Sequence, residues 1–315
     1  MASSETKIKV NLFDVLAGHS VKADGFRTFT PMVEPTEIDY HDMFFGKSWE
    51  ELLQTLTLDC VAEQQKNGYP HEVSLYTDKV YSKRAFAEND PTPIKVVWLL
   101  ECNEVHPHNR THCLATEDLY DYIFTYDEEL LKRGPKYIEN LIGTSRIQDS
   151  RSKLFKKTKN VSLIASTQNW TSGHKLRHEI ARNLDPKLKV DLWGSAYRPF
   201  PLGGKVLALA EYGFSIVIEN SQGPKYFTEK IIDCFRTGVI PIYWGCPNID
   251  KYFDIDGIIG FETIEQLNHL LPKLNHEEYV KRFESVKRNF QLAKQWTSMD
   301  DRFARNLKRV LKNHE

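Results

Sequence analysis

Acidic, amide and basic side chains gather in one short part of the chain, the stretch from Gly213 to Gly245. The run Glu219-Asn220-Ser221 is followed by Tyr226, Glu229 and Lys230. A lysine ammonium binds phosphate oxygens through charge-assisted hydrogen bonds, and carboxylate and amide oxygens accept hydrogen bonds from hydroxyl groups. These residue types therefore suit a ligand that carries both phosphate and hydroxyl groups.

The elements that would position these side chains are a strand, a helix and a second strand. The apolar run Phe214–Ile218 predicts a buried strand that ends at the polar residues. Thr228 is a good N-cap for a helix over Glu229–Thr237, and Gly238 suits the position after its end. Val239–Trp244 predicts the second strand. Open α/β sheets bind ligands at the carboxyl ends of their strands, and helix N-termini attract phosphate, so a ligand site is predicted here.

A second basic segment follows the predicted strand Val161–Ile164, on a helix predicted over His174–Asn183. Arg177 in this helix has a planar guanidinium, which suits bidentate binding of a diphosphate better than a lysine does. Lys175 and Arg182 lie on the same helix and remain alternatives for this role.

Three spaced patterns in this part of the chain resemble the donor-site signature of family 10 glycosyltransferases. They are ENSQ at 219–222, Tyr226-x-Thr228-Glu229-Lys230, and Gly238-x-x-Pro241-x-x-x-Gly245. A weaker resemblance extends from about Lys95 to Leu271. The family comprises the α-1,3/α-1,4-fucosyltransferases, which are inverting enzymes of GT-B fold that use GDP-fucose. The resemblance implies an α/β protein with two Rossmann-like domains facing across a cleft and C-terminal helices that pack back over the first domain.

The resemblance also implies an activity and a partner for each side of the reaction. We expect an α-1,3-fucosyltransferase-like hexosyltransferase that moves L-fucose from GDP-fucose, with inversion, to a hydroxyl of an acceptor oligosaccharide. The same signature would serve another nucleotide sugar, or a non-catalytic protein that binds a nucleotide or a glycan, and these alternatives remain open.

The resemblance assigns roles to individual residues at the donor site. Arg177 would grip the pyrophosphate with Lys230, and Glu229 would lie at the sugar or ribose, where a carboxylate favours positive charge at the anomeric carbon. The full expected set of donor-binding residues is Arg177, Ser195, Tyr197, Asn220, Tyr226, Glu229 and Lys230.

A catalytic base for the acceptor hydroxyl is expected from the other domain. The predicted strand Lys95–Leu100 ends at Glu101, and WLLE resembles the family segment that carries the catalytic carboxylate. We expect the apolar surroundings of Glu101 to raise its pKa, which suits a general base near neutral pH. Glu104 follows closely and is the alternative base.

The order of predicted elements indicates two α/β domains. We expect an N-terminal acceptor-side Rossmann-like domain at 1–148, a polar basic linker at 149–160, a donor-binding domain at 161–285 and a C-terminal helical segment at 286–315. Within them we expect a loop at 18–45, a helix at 49–65, and one or two long helices from Glu277 to about Leu311.

Composition excludes some classes of partner. The net charge of −1 over 315 residues gives no electrostatic footprint for nucleic acid. No apolar run approaches the roughly 20 residues of a transmembrane segment. Five scattered cysteines are typical of reduced thiols. We therefore expect a cytoplasmic protein that resembles bacterial or viral members of the family, or a Golgi-lumen enzyme if the chain is a trimmed catalytic domain.

No resident metal is expected. Asp254-Ile-Asp256 has the DxD spacing that binds metal–nucleotide in the other main glycosyltransferase fold, but its place after the donor unit favours a surface turn. Gly203-Gly204-Lys205 lacks the earlier glycine and the Ser/Thr of a phosphate-binding P-loop. No cofactor is expected to be required, with Mn²⁺ or Mg²⁺ at most stimulating turnover.

Overall fold

The computed structural model describes residues 8–14, 38–42, 72–78, 84–200 and 204–312. The helix predicted at 49–65 lies outside these residues, as does most of the loop predicted at 18–45. Residues 38–42 of that predicted loop form a strand, so the loop prediction is wrong there. The strand pairs with a neighbour far away in the sequence, which a local pattern does not reveal.

The chain divides into two compact units. Unit 1 comprises Met1–Leu141 and Met299–Glu315, and unit 2 comprises Ile142–Ser298. These bounds differ from the ones expected from the sequence. The segment 149–160, expected as a linker, lies within unit 2, and only the last part of the expected C-terminal segment, from residue 299, belongs to unit 1.

Unit 1 is built on a parallel sheet, called sheet 1, with strand order β2-β1-β3-β4-β5-β6. The described helices of this unit are short except the last one. The strands are β1 (Ile8–Asp14), β2 (Ile38–Asp42), β3 (Val73–Thr77), β4 (Ile94–Trp98), β5 (Tyr122–Thr125) and β6 (Tyr137–Glu139). The helices are α1 (Arg84–Asn89), α2 (Asn109–Ala115), α3 (Glu128–Leu131) and, at the C-terminus, α9 (Met299–Leu311).

The C-terminal helix α9 packs onto sheet 1 through aromatic contacts. The ring of Phe303 stacks on Trp98 with centroids 4.4 Å apart and meets Phe124 edge-on at 4.8 Å. Burying a phenylalanine in this way stabilises the fold by roughly 1.5–3 kcal/mol. Arg302 also donates from Nη1 to the carbonyl of Leu141, which fixes the start of α9 beside the end of the first chain segment of unit 1.

Unit 2 has its own parallel sheet, called sheet 2, with strand order β11-β10-β9-β7-β8. The chain enters at β7, turns to β8 on one side and then to β9 on the other, so the topological switch point lies between β7 and β9. Ligands bind outside the carboxyl ends of strands at such a point. The strands are β7 (Lys159–Ile164), β8 (Asp191–Trp193), β9 (Tyr212–Ile218), β10 (Ile240–Trp244) and β11 (Ile259–Gly260).

The core of unit 2 forms around β9, which is buried at all seven positions, as expected of a central parallel strand. Apolar residues from β7, β9 and β10 share one cluster with residues from the helices. The region predicted as one or two long helices from Glu277 instead contains α7, α8 and α9. The unit 2 helices are α4 (Ser172–Asn183), α5 (Glu229–Phe235), α6 (Ile264–Leu270), α7 (His276–Lys281) and α8 (Phe283–Leu292).

Candidate functional site

The switch point of sheet 2 brings the start of helix α4 directly against the backbone that follows β9. The amide of Gly173 donates to the carbonyl of Asn220 at 3.0 Å. A Cβ atom at position 173 would lie 1.7 Å from the carbonyl oxygen of Glu219, so only glycine permits this approach. The close contact aligns the first turns of α4 with the polar residues at the end of β9.

Arg177 holds these two segments together from within α4. Its Nε and Nη2 donate to the carbonyl of Ile218 at 3.0 and 2.7 Å, and Nη2 also donates to Oδ1 of Asn220 at 2.9 Å. The side chain is almost completely buried. Nη1 has no hydrogen-bond partner among the residues that the structure describes. Arg177 therefore supports the strand end and still offers one edge of its guanidinium.

The carboxylate of Glu219 caps the start of helix α5 and is fully buried. Its Oε1 accepts from the amide of Thr228 at 2.9 Å, and its Oε2 accepts from the Thr228 hydroxyl at 2.6 Å. The same hydroxyl accepts from the backbone and Nζ of Lys230, at 3.4 and 3.0 Å. Glu219 and Thr228 therefore fix the start of α5, and the Thr228 hydroxyl also holds the Lys230 side chain at this edge of the sheet.

Glu229 is an ionised carboxylate surrounded by cations. Its Oε1 lies 3.4 Å from Nζ of Lys230. Burial alone would raise the pKa of Glu229, but Lys230, Arg146 and Lys205 together lower it well below its ordinary value. Glu229 therefore keeps its negative charge at neutral pH and can act as an acceptor or stabilise a positive centre.

Two of these cations, Lys205 and Arg146, were not predicted as site residues. Nζ of Lys205 forms an ion pair with the fully buried Asp233 at 2.8 Å. Asp233 also accepts from the hydroxyl of Ser145 and the amide of Arg146, which fixes the Arg146 backbone. Burial alone would lower the pKa of Lys205, but the negative charges of Asp233 and Glu229 outweigh this effect, so the pKa is raised above its ordinary value. The only feature of the sequence that could have pointed to Lys205 is the glycine pair before it, and that pair does not match a phosphate-binding loop.

His174 is a third residue that was not predicted as a site residue. Its amide donates to Oγ1 of Thr171, and its Nδ1 accepts from the Thr171 amide, which together form a capping box at the start of α4. Burial, with Arg177, Lys230 and His178 nearby, lowers the pKa of His174 from 6.5 to about 4. The imidazole is therefore neutral at physiological pH.

The remaining predicted donor residues lie at the same edge of sheet 2. Tyr226 is buried beside Arg177, so little of its side chain can reach a ligand. Ser195 follows β8, and its exposed hydroxyl accepts from the amide of Thr167 at 3.2 Å. The hydroxyl of Tyr197 lies 3.4 Å from Nδ1 of His178. Arg177, Asn220, Glu229 and Lys230 thus come together closely, while Ser195 and Tyr197 lie in the neighbouring loop.

Glu101 lies in unit 1, three residues beyond the end of β4. The buried carboxylate of Asp78 accepts from the amides of Leu100 and Glu101 and from Nδ2 of Asn109. Asp78 has φ +27°, a conformation that most residues other than glycine rarely adopt. These bonds fix the backbone that carries the half-buried Glu101, whereas Glu104 is exposed.

The predicted surface turn at Asp254 and Asp256 is present. Asp254 accepts from the amide of Asp256 at 3.0 Å and forms an ion pair with Arg288. In the described part of the chain, no group of three or more His, Cys, Asp or Glu side chains is arranged to hold a metal ion. Likewise, none of the helices in the described ranges is long and apolar enough to cross a membrane.

The candidate site in unit 2 contains positively and negatively charged side chains that lie close to one another and are largely buried. Arg177, Lys230 and Lys205 supply positive charge, and Glu219, Glu229 and Asp233 hold those cations in place. With Arg146, which also acts on Glu229, the positive groups outnumber the carboxylates, so the site can bind an anion such as a phosphate group and present Glu229 to an adjacent group.

Comparisons with known proteins bear on this site. The profile described as glycosyltransferase family 10 (fucosyltransferase), C-terminal part, matches residues 154–312, which is just over half of the chain. The alpha-(1,3)-fucosyltransferase FucT of Helicobacter pylori is 34% identical over 68 residues, 22% of this chain and 14% of that protein. The 3-galactosyl-N-acetylglucosaminide 4-alpha-L-fucosyltransferase FUT3 of Pan troglodytes is 24% identical over 237 residues, 71% of this chain and 62% of that protein. The chain thus spans less than two thirds of the length of these curated relatives.

A crystal structure of alpha1,3-fucosyltransferase with GDP-fucose has a similar fold. The TM-score is 0.54 at 16% identity, over 100% of this chain and 94% of that one. At this identity the likeness concerns the fold alone. Together with the two parallel α/β sheets, it confirms the predicted GT-B fold class.

The buried imidazole of His174 predicts a loss of stability at mildly acidic pH. The unfolded chain binds a proton at this residue below pH 6.5, whereas the folded chain stays neutral there until about pH 4. The free energy of unfolding should therefore fall as the pH drops from 7 to 5, by roughly 2 kcal/mol from this residue alone. Urea unfolding at both pH values measures the loss. A His174→Gln variant should lose correspondingly less, and equal losses in the two proteins would contradict the assignment.

Proposed function

The chain belongs to glycosyltransferase family 10, the fucosyltransferases, and we propose that it moves L-fucose from GDP-fucose, with inversion, to a hydroxyl of an acceptor glycan. The observation that carries the proposal is the grouping of these side chains at the carboxyl edge of sheet 2: Arg177 is bonded to Asn220 and lies within electrostatic range of Glu229, and Glu229 lies 3.4 Å from Lys230. These are residue types that a nucleotide-sugar donor requires, and they lie within the region that matches the family profile.

We assign Lys230 and Arg177 to the donor diphosphate. Nζ of Lys230 makes one short hydrogen bond, at 3.0 Å to Thr228, and its carboxylate neighbours are farther away, at 3.4 and 3.5 Å. A phosphate oxygen can therefore accept from the ammonium without breaking a strong bond. The Nη1 edge of Arg177 serves the same anion, and Lys205 adds positive charge nearby.

Glu229 is assigned to the sugar side of the donor. Its carboxylate is ionised, so it can accept hydrogen bonds from ribose or fucose hydroxyls and favour the positive charge that develops at the anomeric carbon. Asn220, Tyr226, Ser195 and Tyr197 are assigned to the remaining wall of the donor pocket. Asn220 supports this role with its Nδ2 group, since Oδ1 is bonded to Arg177.

Glu101 is assigned as the general base, with Glu104 as the alternative. Glu101 would take the proton of the acceptor hydroxyl while the hydroxyl oxygen forms a bond to the anomeric carbon. The bond from that carbon to the diphosphate oxygen breaks on the opposite face, GDP leaves with the bonding electrons, and the configuration inverts. Support for Glu101 is the braced strand end and the WLLE segment, which lies outside the matched family profile. The acceptor we propose is a glycan that contains N-acetylglucosamine.

The donor assignment is tested by nucleotide binding to a Lys230→Ala variant. Removal of a charge-assisted hydrogen bond should weaken GDP binding by roughly 10- to 100-fold, which corresponds to about 1.5–3 kcal/mol. Isothermal titration calorimetry gives the affinity. Lys251→Ala, at an exposed lysine of the same unit, is the matched control. We prefer Lys230 to Arg177 because loss of Arg177 would also release the Ile218 carbonyl.

Two results would overturn this assignment. An unchanged GDP affinity in the Lys230 variant would remove Lys230 from the donor site. Stabilisation of the wild-type protein by UDP or CMP, but not by GDP, would replace GDP-fucose with another nucleotide sugar. A nucleotide at 100 times its Kd should raise the free energy of unfolding by about 2.7 kcal/mol, which thermal shift resolves.

The base assignment is tested by comparing Glu101→Gln with Glu104→Gln. Glutamine keeps the size of the side chain but cannot take a proton, so fucosyl transfer by the Glu101 variant should drop by roughly 10²–10⁴. GDP binding should stay at the wild-type level, because the donor residues belong to unit 2. The Glu104 variant should be affected much less. Release of GDP in the presence of acceptor glycans measures transfer.

Other outcomes of that comparison are equally clear. An inactive Glu104 variant beside an active Glu101 variant would make Glu104 the base. Binding of GDP-fucose without transfer to any acceptor in the wild-type protein would favour a non-catalytic binding protein.

We propose that the reaction needs no metal ion, since the cationic side chains assigned to the donor can neutralise the leaving diphosphate. Transfer should therefore persist in excess EDTA, with Mn²⁺ or Mg²⁺ at most accelerating turnover. The measurement is the transfer rate before and after chelation. Complete loss of activity that Mn²⁺ restores would contradict this, and would require Asp254 to exchange its Arg288 partner for a metal.

A further inference from the structure

The imidazole of His174 has a hydrogen-bonding group that the capping box does not use. The side chain is 97% buried, with an exposed fraction of 3%. Its Nδ1 accepts from the amide of Thr171 at 3.4 Å, and the His174 amide donates back to Oγ1 of Thr171 at 3.1 Å. An acceptor nitrogen carries no proton, so the proton of the neutral ring lies on Nε2. Nε2–H has no partner among the described residues.

The surroundings of His174 include two of the groups assigned to the diphosphate. Arg177 lies one turn further along α4, and Lys230 on α5 is within electrostatic range, as is His178. The indole of Trp170 meets the imidazole edge-on at 5.1 Å and restricts its rotation. These three basic neighbours oppose a further positive charge, so the ring remains a neutral donor.

We propose that His174 is a further ligand of the donor diphosphate, and that its Nε2–H donates to a non-bridging phosphate oxygen beside Arg177 and Lys230. The inference rests on the proposed function, because it takes the ligand to be a nucleoside diphosphate. A neutral donor adds a hydrogen bond without repelling the two cations. A fixed ring also needs no reorganisation when negative charge grows on the departing diphosphate.

The test compares two substitutions that separate the two nitrogens of the ring. In His174→Asn, the amide oxygen can replace Nδ1 in the capping box, but nothing reaches the position of Nε2. In His174→Gln, the longer amide can place an N–H near that position. GDP affinity should fall about tenfold in the Asn variant and recover to within about threefold of wild type in the Gln variant. His269→Asn, at an exposed histidine of α6, is the matched control and should bind GDP normally.

A spectroscopic measurement on the wild-type protein keeps the test independent of variant folding. In ¹⁵N-histidine NMR spectra near pH 7, His174 should be the neutral tautomer with its proton on Nε2. Its Nε2–H signal should shift on saturation with GDP. A proton on Nδ1, or an Nε2–H signal that GDP does not move, would overturn the proposal.

The outcomes also separate this inference from the proposed function. If His174→Asn binds GDP like wild type while Lys230→Ala does not, the donor site stands and His174 serves only the helix cap. If wild-type protein fails to bind GDP at all, the proposed function falls and this inference falls with it.

Discussion

The hydrogen-bonded, buried carboxylate of Glu219 is the interaction on which the candidate site in unit 2 depends. A buried charge destabilises a fold unless it is paired and hydrogen-bonded, and Glu219 meets that condition through Thr228 and Lys230. Its surroundings leave no space for side chains: a Cβ on Gly173 would lie 1.7 Å from its carbonyl oxygen, and one on Gly245 would lie 2.6 Å from its Cγ. One residue thus aligns the start of α4, the start of α5 and the end of β10.

Sequence patterns correctly predicted the helices and strands that are determined by nearby residues, such as an apolar run, an N-cap or a glycine after a helix. The strand–helix–strand unit appears within two residues of the predicted bounds, and Gly238 has φ +70°, as expected after a helix. The two edge strands of sheet 1, β2 and β6, were not predicted, because each depends on its pairing with the preceding strand rather than on a local pattern. The break before Met299 was also not predicted, although Ser298 and Asp301 have the Ser-x-x-Asp spacing of a capping box; it occurs where the chain passes from unit 2 to unit 1.

The same distinction explains which site residues the sequence revealed. Asn220, Glu229 and Lys230 lie together in one motif, so spacing alone brought them together. Lys205 and Arg146 reach Glu229 from separate segments and meet through Asp233, a tertiary contact that no spacing encodes. The prediction for Arg177 was incomplete for a related reason, because it did not include the contacts of Arg177 with the protein backbone. Its chemistry suits phosphate, but its Nε and Nη2 groups are already bonded to the carbonyl of Ile218 at the end of β9.

The first five strands of sheet 1 and the five strands of sheet 2 have the same order, and in both sheets a buried acid follows the third strand in the chain. Glu219 follows β9, the third strand of sheet 2, and Asp78 follows β3, the third strand of sheet 1. Each carboxylate accepts from backbone amides of a neighbouring segment: Thr228 in one case, Leu100 and Glu101 in the other. In both units the buried acid therefore braces the backbone beside it. Glu229 directly follows Thr228, and Glu101 is itself the last braced residue, which places a less buried carboxylate at the corresponding edge of each sheet.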